Sequence, residues 1–191
     1  RRNLLLASSD RSPTTEITYS FALRLVLAYL QPLNIVPLGS DRNPNYLNLN
    51  GTTFVPLHKH FGAYRRIDDA GYQVMMQYQG ATDAFPTVPL MTVLEGNVAE
   101  AQVRDRIVLI GTTAASAKDF FFTPYSSTAD KDFLMPGVTL HAHATSQLLR
   151  ATLDQQRLYW EISEVGELVW IVLWAVAGIA LGQSARRLWL W

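Results

Sequence analysis

Eighteen consecutive residues without a charge, Leu168 to Ala185 (LVWIVLWAVAGIALGQSA), constrain this 191-residue chain more than any other feature. As a helix they measure about 27 Å, close to the roughly 30 Å hydrocarbon core of a bilayer. Extension back to Ile162 adds a polar turn with Glu164 and Glu167, and Trp160 stands beside that end as an interfacial anchor. Arg186 and Arg187 follow at once, and positive charge marks a cytoplasmic end. The sequence therefore predicts a transmembrane helix over 162–185 in the inner (cytoplasmic) membrane. Its acidic end faces outward, and the preceding domain lies on the extracytoplasmic, periplasmic side. Leu188–Trp191 is apolar again and reads as the start of a second transmembrane helix after a tight turn. Gly178 and Gly182, flanked by Ala175 and Ala185, form a small-residue stripe suited to close helix packing, with the next helix or in a homodimer.

Composition narrows the function classes. Lysine plus arginine balances aspartate plus glutamate, so the clustered positive charge that nucleic acid demands is lacking and no nucleic-acid partner is expected. The absence of cysteine excludes disulfides, cysteine zinc sites and thiol catalysis. Arg1-Arg2 before Leu4-Leu5-Leu6 imitates a signal peptide, but three leucines fall short of the roughly 7–15 apolar residues of an h-region. The chain reads instead as starting within a domain.

Along residues 1–157, capping Ser12-Pro13 predicts a helix start, with Ile17, Phe21, Leu25 and Ala28 at helical spacing up to Gln31. Residues 34–45 are turn-rich. Tyr46–Asn50, Gly51 and Thr52–Leu57 read as a hairpin, and Tyr72–Tyr78 as a strand. Val88–Leu94 predicts a short helix closed by Gly96. Arg106–Gly111 (RIVLIG) predicts a strand buried on both faces. An irregular loop pinned by Phe120-Phe121-Phe122 runs to Asp132, and a helix follows from Val138 to about Arg150. Strands mixed with helices point to an α/β class, a mixed-sheet α/β sandwich incomplete at its N-terminus and followed by the transmembrane helix.

The block RDRIVLIGTTAASAKDFFFTPYSS, followed by FLMPGVTLHAHATSQLL, resembles the second type of CHASE domain, an extracellular sensor found on bacterial cyclases, kinases and diguanylate cyclases. The matching pieces are Ile107–Gly111, Asp119, Thr123-Pro124, Met135–Val138, His141-Ala142 and Gln147–Leu149. Upstream, Tyr78-Gln79-Gly80 is similar to that family's aromatic-basic-glycine strand end, with Gln79 where arginine is usual, and Ser20–Leu30 is similar to its upstream helix. The resemblance implies an earlier part of the domain, an N-terminal anchor, a small bundle of membrane helices and a cytoplasmic output module.

All four histidines fall in His-x-His pairs, His58/His60 and His141/His143. On a helix, positions i and i+2 lie about 200° apart, so the second pair does not share a metal. No metal and no cofactor is expected. His141 is expected to be buried at the helix start. Ligands of open α/β sheets favour strand carboxyl ends, which makes Gly111, Thr112, Thr113, Asp119, Thr123 and His141 the candidate pocket rim. Asp119 has a second reading, as an acceptor of backbone N–H groups that closes its loop. Asp119, His141 and Ser116 are the residue types of a hydrolase triad, but no G-x-S-x-G elbow, P-loop or dinucleotide fingerprint is present. No catalytic residue is expected.

The expected function is that of a sensor for an unknown small-molecule or protein ligand, coupled through membrane helices, in contact with membrane lipid, to a cytoplasmic cyclase or kinase. A membrane-anchored protein-binding or assembly module is the alternative, and a membrane-tethered hydrolase the third reading.

Overall fold

The computed structural model describes residues 2–9, 16–62, 64–126 and 134–188. In chain order its elements are β1 (Arg2–Ser9), β2 (Glu16–Tyr19), α1 (Phe21–Leu30), β3 (Leu38–Gly39), β4 (Leu47–Leu49), β5 (Thr52–Phe54), β6 (Tyr72–Met75), α2 (Leu90–Leu94), β7 (Phe120–Phe121), β8 (Met135–Pro136), α3 (Gly137–Leu153) and α4 (Glu164–Leu188). This is a mixed α/β chain with three small sheets. It divides into two units, one of Arg1–Lys59 with Ile67–Tyr159, the other of His60–Arg66 with Trp160–Trp191.

In the first unit β1 is the middle strand of an antiparallel sheet ordered β2-β1-β6. Leu4 pairs with Gln73 and Leu6 with Tyr72, so Leu5 is the extra residue of a bulge. Leu5 is fully buried, and its carbonyl accepts from Ser20 N at 2.8 Å. Ser20 also caps α1, its hydroxyl accepting from Leu23 N. From α1, Leu23, Val26 and Leu30 meet Leu5, Val74 and Met76 on the sheet side and Ala144, Leu148 and Ala151 of α3 in one core. The tip of the β4–β5 hairpin, Asn50-Gly51, has positive φ at both residues (50° and 85°), the conformation a two-residue hairpin turn requires. That tip covers the C-terminal end of α3. Thr52 Oγ1 donates to Ala151 O at 2.7 Å and Asn50 Nδ2 to Thr152 O at 3.0 Å, satisfying carbonyls the helix leaves without partners. Tyr72 ties the hairpin to the first sheet: its hydroxyl accepts from Leu47 N and donates to Phe54 O.

In the second unit α4 contains Val165–Gln183, a stretch long and apolar enough to cross a membrane. None of it is buried in the protein, unlike the core helix of a soluble domain.

Several expectations need correction. Ile17 belongs to β2, paired with Ser8, and α1 begins only after the Ser20 cap; Ser12 and Pro13 lie outside the described residues. The strand-forming Ile17-Thr18-Tyr19 outweighs the helical spacing, because β1 offers it a ladder. β1 itself, read from sequence as an imitation signal peptide, supplies the central strand. Arg106–Gly111 is not a strand buried on both faces. Its backbone makes no hydrogen bond among the described residues, Ile107 and Leu109 are half-buried, and Val108 and Ile110 are 55% and 89% exposed. The apolar run alternates as a strand does, but no described strand lies beside it. The short helix α2 forms and is followed by Gly96 in the left-handed region, yet Leu90, Met91 and Leu94 are all exposed. The aromatic loop holds a short β7–β8 ladder, Phe120 opposite Pro136, while 127–133 lie outside the described residues. α4 continues through Arg186 and Arg187 to Leu188; Trp189–Trp191, where most of the second span was expected to begin, lie outside the described residues.

Candidate functional site

The residues expected to line a pocket converge in part on the N-terminal end of α3. Met135-Pro136 stops β8 and Gly137 opens the helix with no side-chain cap. Asp119 lies against that end of the helix from the loop. Its carbonyl accepts from Gly137 N at 2.9 Å, and its carboxylate lies where a Gly137 Cβ would sit, 2.0 Å from Oδ2. A carboxylate at a helix N-terminus is stabilised by the helix dipole. Gly111 abuts the next residue: a Cβ there would lie 2.6 Å from Val138 Cβ. The two glycines let loop and helix backbones approach where side chains leave no room.

The other candidates serve turns or the surface. Thr112 Oγ1 accepts from Ala114 N, and Thr113 is exposed. Thr123 closes a turn with Ser126, accepting Ser126 N on its carbonyl and donating its own N–H to the Ser126 hydroxyl. His141 is exposed, not buried, and its ring meets Phe21 edge-on at 5.2 Å. Among the described residues no hydrogen bond joins Asp119, His141 and Ser116, so these triad residue types are not assembled as one.

The buried histidine is His143, half a turn away from His141 and fully enclosed. Its Nδ1 accepts from Gln79 N at 3.3 Å, which places the imidazole proton on Nε2. Nε2 is buried without a hydrogen-bond partner among the described residues. Phe85 and Tyr78 approach the ring edge-on at 4.8 and 5.3 Å, and Tyr125 meets Tyr78 edge-on in turn at 6.2 Å. Burial lowers the His143 pKa below its ordinary value; the Ala81 backbone opposes the shift and the Arg150 charge adds to it.

One helical turn on, Gln147 is 2% exposed and grips the same segment. Its Oε1 accepts from Gln77 N at 3.2 Å and its Nε2 donates to Met75 O at 2.8 Å. Residues 75, 77 and 79 share one edge of an extended chain. On that edge the side chains of His143 and Gln147 take the place of a neighbouring strand. Gln79 closes the joint by donating to Ser146 Oγ, and Gln77 Nε2 reaches Arg157 O at 3.1 Å. The i, i+4 spacing of His143 and Gln147 was the readable signal for this joint. His141, the histidine expected from sequence to be buried, is exposed two residues earlier.

Among the described residues the arrangement holds and positions. It joins the end of the first sheet to α3 through buried polar groups, and Asp119 joins the long loop to the same helix. The family model of the CHASE2 domain matches residues 1–180, through the outer domain and most of α4. Comparison with curated proteins and with solved structures gives no match. The chain belongs to the CHASE2 domain family, the extracellular sensory domains of signalling receptors.

Proposed function

We propose that this chain is the outer sensory part of a transmembrane receptor, in which a small molecule or partner protein bound outside biases the pose of α4 and so a cytoplasmic nucleotide cyclase or kinase. One observation carries the reading: a single sensory-family match, residues 1–180, takes in both the outer domain and most of the apolar helix. In this reading the outer part is a mixed-sheet α/β sandwich, with the β2-β1-β6 sheet as one layer and α1 with α3 as the other. It lies on the extracytoplasmic side of the inner membrane, because Arg186 and Arg187 follow the apolar stretch and Glu161 precedes it. The piece carries no catalytic residue of its own. A ligand acts only through a difference in affinity between two states of the outer domain.

The helices α3 and α4 are separated by residues 154–163 alone, a short covalent link. Several glycines inserted after Gln156 of the full receptor are therefore expected to leave basal output intact and to abolish its response to stimulus. A response unchanged by the insertion rules out transmission through this link. The reading frame beyond Trp191 gives a second check. A cyclase or kinase module after further membrane helices supports the receptor, and a stop after one or two helices leaves an anchored binding module.

A further inference from the structure

We propose that the loop His60–Arg66 is a foot resting in the phospholipid headgroup layer beside α4. The proposal rests on α4 crossing a membrane.

This loop belongs to the same unit as α4, although nearly a hundred residues separate them in sequence. Two contacts fix it there. Gly62 N donates to the Glu161 carboxylate just before the helix, and the Arg65 guanidinium lies 3.7 Å from the Glu167 carboxylate on the first turn of α4. Within the loop Tyr64 N donates to Phe61 O at 2.9 Å, and Gly62 and Arg66 both adopt positive φ, so the segment is a folded turn.

Height along the helix then decides what the loop meets. Glu167 is the one acid or base within Val165–Gln183. It lies two residues into that stretch, about 3 Å along the axis. The headgroup zone is about 5–7 Å thick on each side of the hydrocarbon. A loop clipped to Glu161 and Glu167 is therefore held at headgroup height. Its chemistry suits that zone. Tyr64 is 44% exposed and Trp160, in the same unit, 79% exposed, and amphipathic rings favour the interface. Arg65 offsets the charge of Glu167 where the medium turns apolar. Arg66 is exposed and pairs with no carboxylate among the described residues, which leaves its planar fork of donors for a phosphodiester. With Glu161 and Glu167 so near, the foot is not strongly basic. It recognises the phosphate common to phospholipids, with little preference for an anionic headgroup.

The chain has no cysteine, so single cysteines report position without a background. Tyr64→Cys in the 191-residue chain is spin-labelled and reconstituted into phosphatidylcholine–phosphatidylglycerol vesicles. Its collision rates with oxygen and with a water-soluble nickel chelate are compared with those of Leu38→Cys, exposed in the first unit, and Val172→Cys in mid-helix. Arg66→Cys gives a second reading from the same loop. The expected result is a loss of nickel accessibility at residues 64 and 66 relative to 38, to a level between the two references. If residues 64 and 66 match residue 38 while 172 is shielded in lipid, the foot is wrong and the membrane span stands. If residue 172 is also open to the nickel chelate, the span fails and the foot with it.

Discussion

Replacing Gln147 by leucine tests whether α3 stands in for a strand. The change keeps a buried side chain of similar reach but removes both hydrogen bonds to the 75–79 segment, leaving Met75 O and Gln77 N without their partner. Each orphaned buried group costs about 1–3 kcal/mol, giving about 2–6 kcal/mol in all. Leucine recovers about 1–2 kcal/mol through apolar burial, so the net loss centres on about 2.5 kcal/mol. For a chain of this size that corresponds to a fall in melting temperature of about 5–10 °C. The spectroscopy separates the two units. Every tryptophan lies at or after position 160, whereas seven of the eight tyrosines fall in the first unit, so near-ultraviolet tyrosine circular dichroism follows the outer domain. A melting curve of Gln147→Leu within about 0.5 kcal/mol of wild type, the range of ordinary surface changes, would refute the argument that these two bonds hold the segment.

Three further outcomes are expected. His143 has a lowered pKa when folded, so as pH falls below the ordinary histidine value the unfolded chain takes up a proton that the folded chain resists, and stability is lost until the lower, folded pKa is passed. His143→Phe removes that contribution, and its denaturant midpoint should fall less than the wild-type midpoint between pH 7.5 and 5; parallel curves would assign the acid sensitivity elsewhere. Gly137→Ala forces the Asp119 carboxylate from the end of α3, whereas in an Asp119→Ala background the three atoms nearest the new Cβ are gone, so a double-mutant cycle should show coupling of about 0.5–1 kcal/mol. Strict additivity would mean the carboxylate does not cap the helix. Gly111→Ala should be the more costly glycine change, about 1–3 kcal/mol, because Val138 is β-branched on a helix and has no free rotamer to yield; equal melting temperatures for Gly111→Ala and Gly137→Ala would contradict this.

What could be read from the sequence was what local chemistry decides. Asn50-Gly51 dictates its own turn, α3 follows its capless Met-Pro-Gly start, and the apolar stretch of α4 is a matter of counting. Pairing partners could not be read. β1 looks like no strand until β2 and β6 flank it, and Ile17 changes from helix to strand because Ser8 lies opposite. Arg106–Gly111 shows the converse: its branched residues have the makings of a strand, but a strand is completed by a neighbour, and no described segment provides one. At the site, Asp119 was read as a pocket rim or a loop clasp, and its place against the start of α3 could not be read, because it depends on the loop and the helix meeting in space. His141 and His143 were confused, because their burial depends on which face of α3 turns to the sheet.

The paired grip of His143 and Gln147 also fixes how α3 is able to move. Four residues of helix rise about 6 Å. Two residues of extended chain advance about 6.6 Å. The two repeats are nearly commensurate, so the side chains one turn apart meet every second residue of the 75–79 edge. Sliding by a fraction of that distance breaks the bonds together and re-forms none. The joint thus behaves as a detent: α3 is held against small displacements along the strand edge, and the next seat lies a full helical turn away.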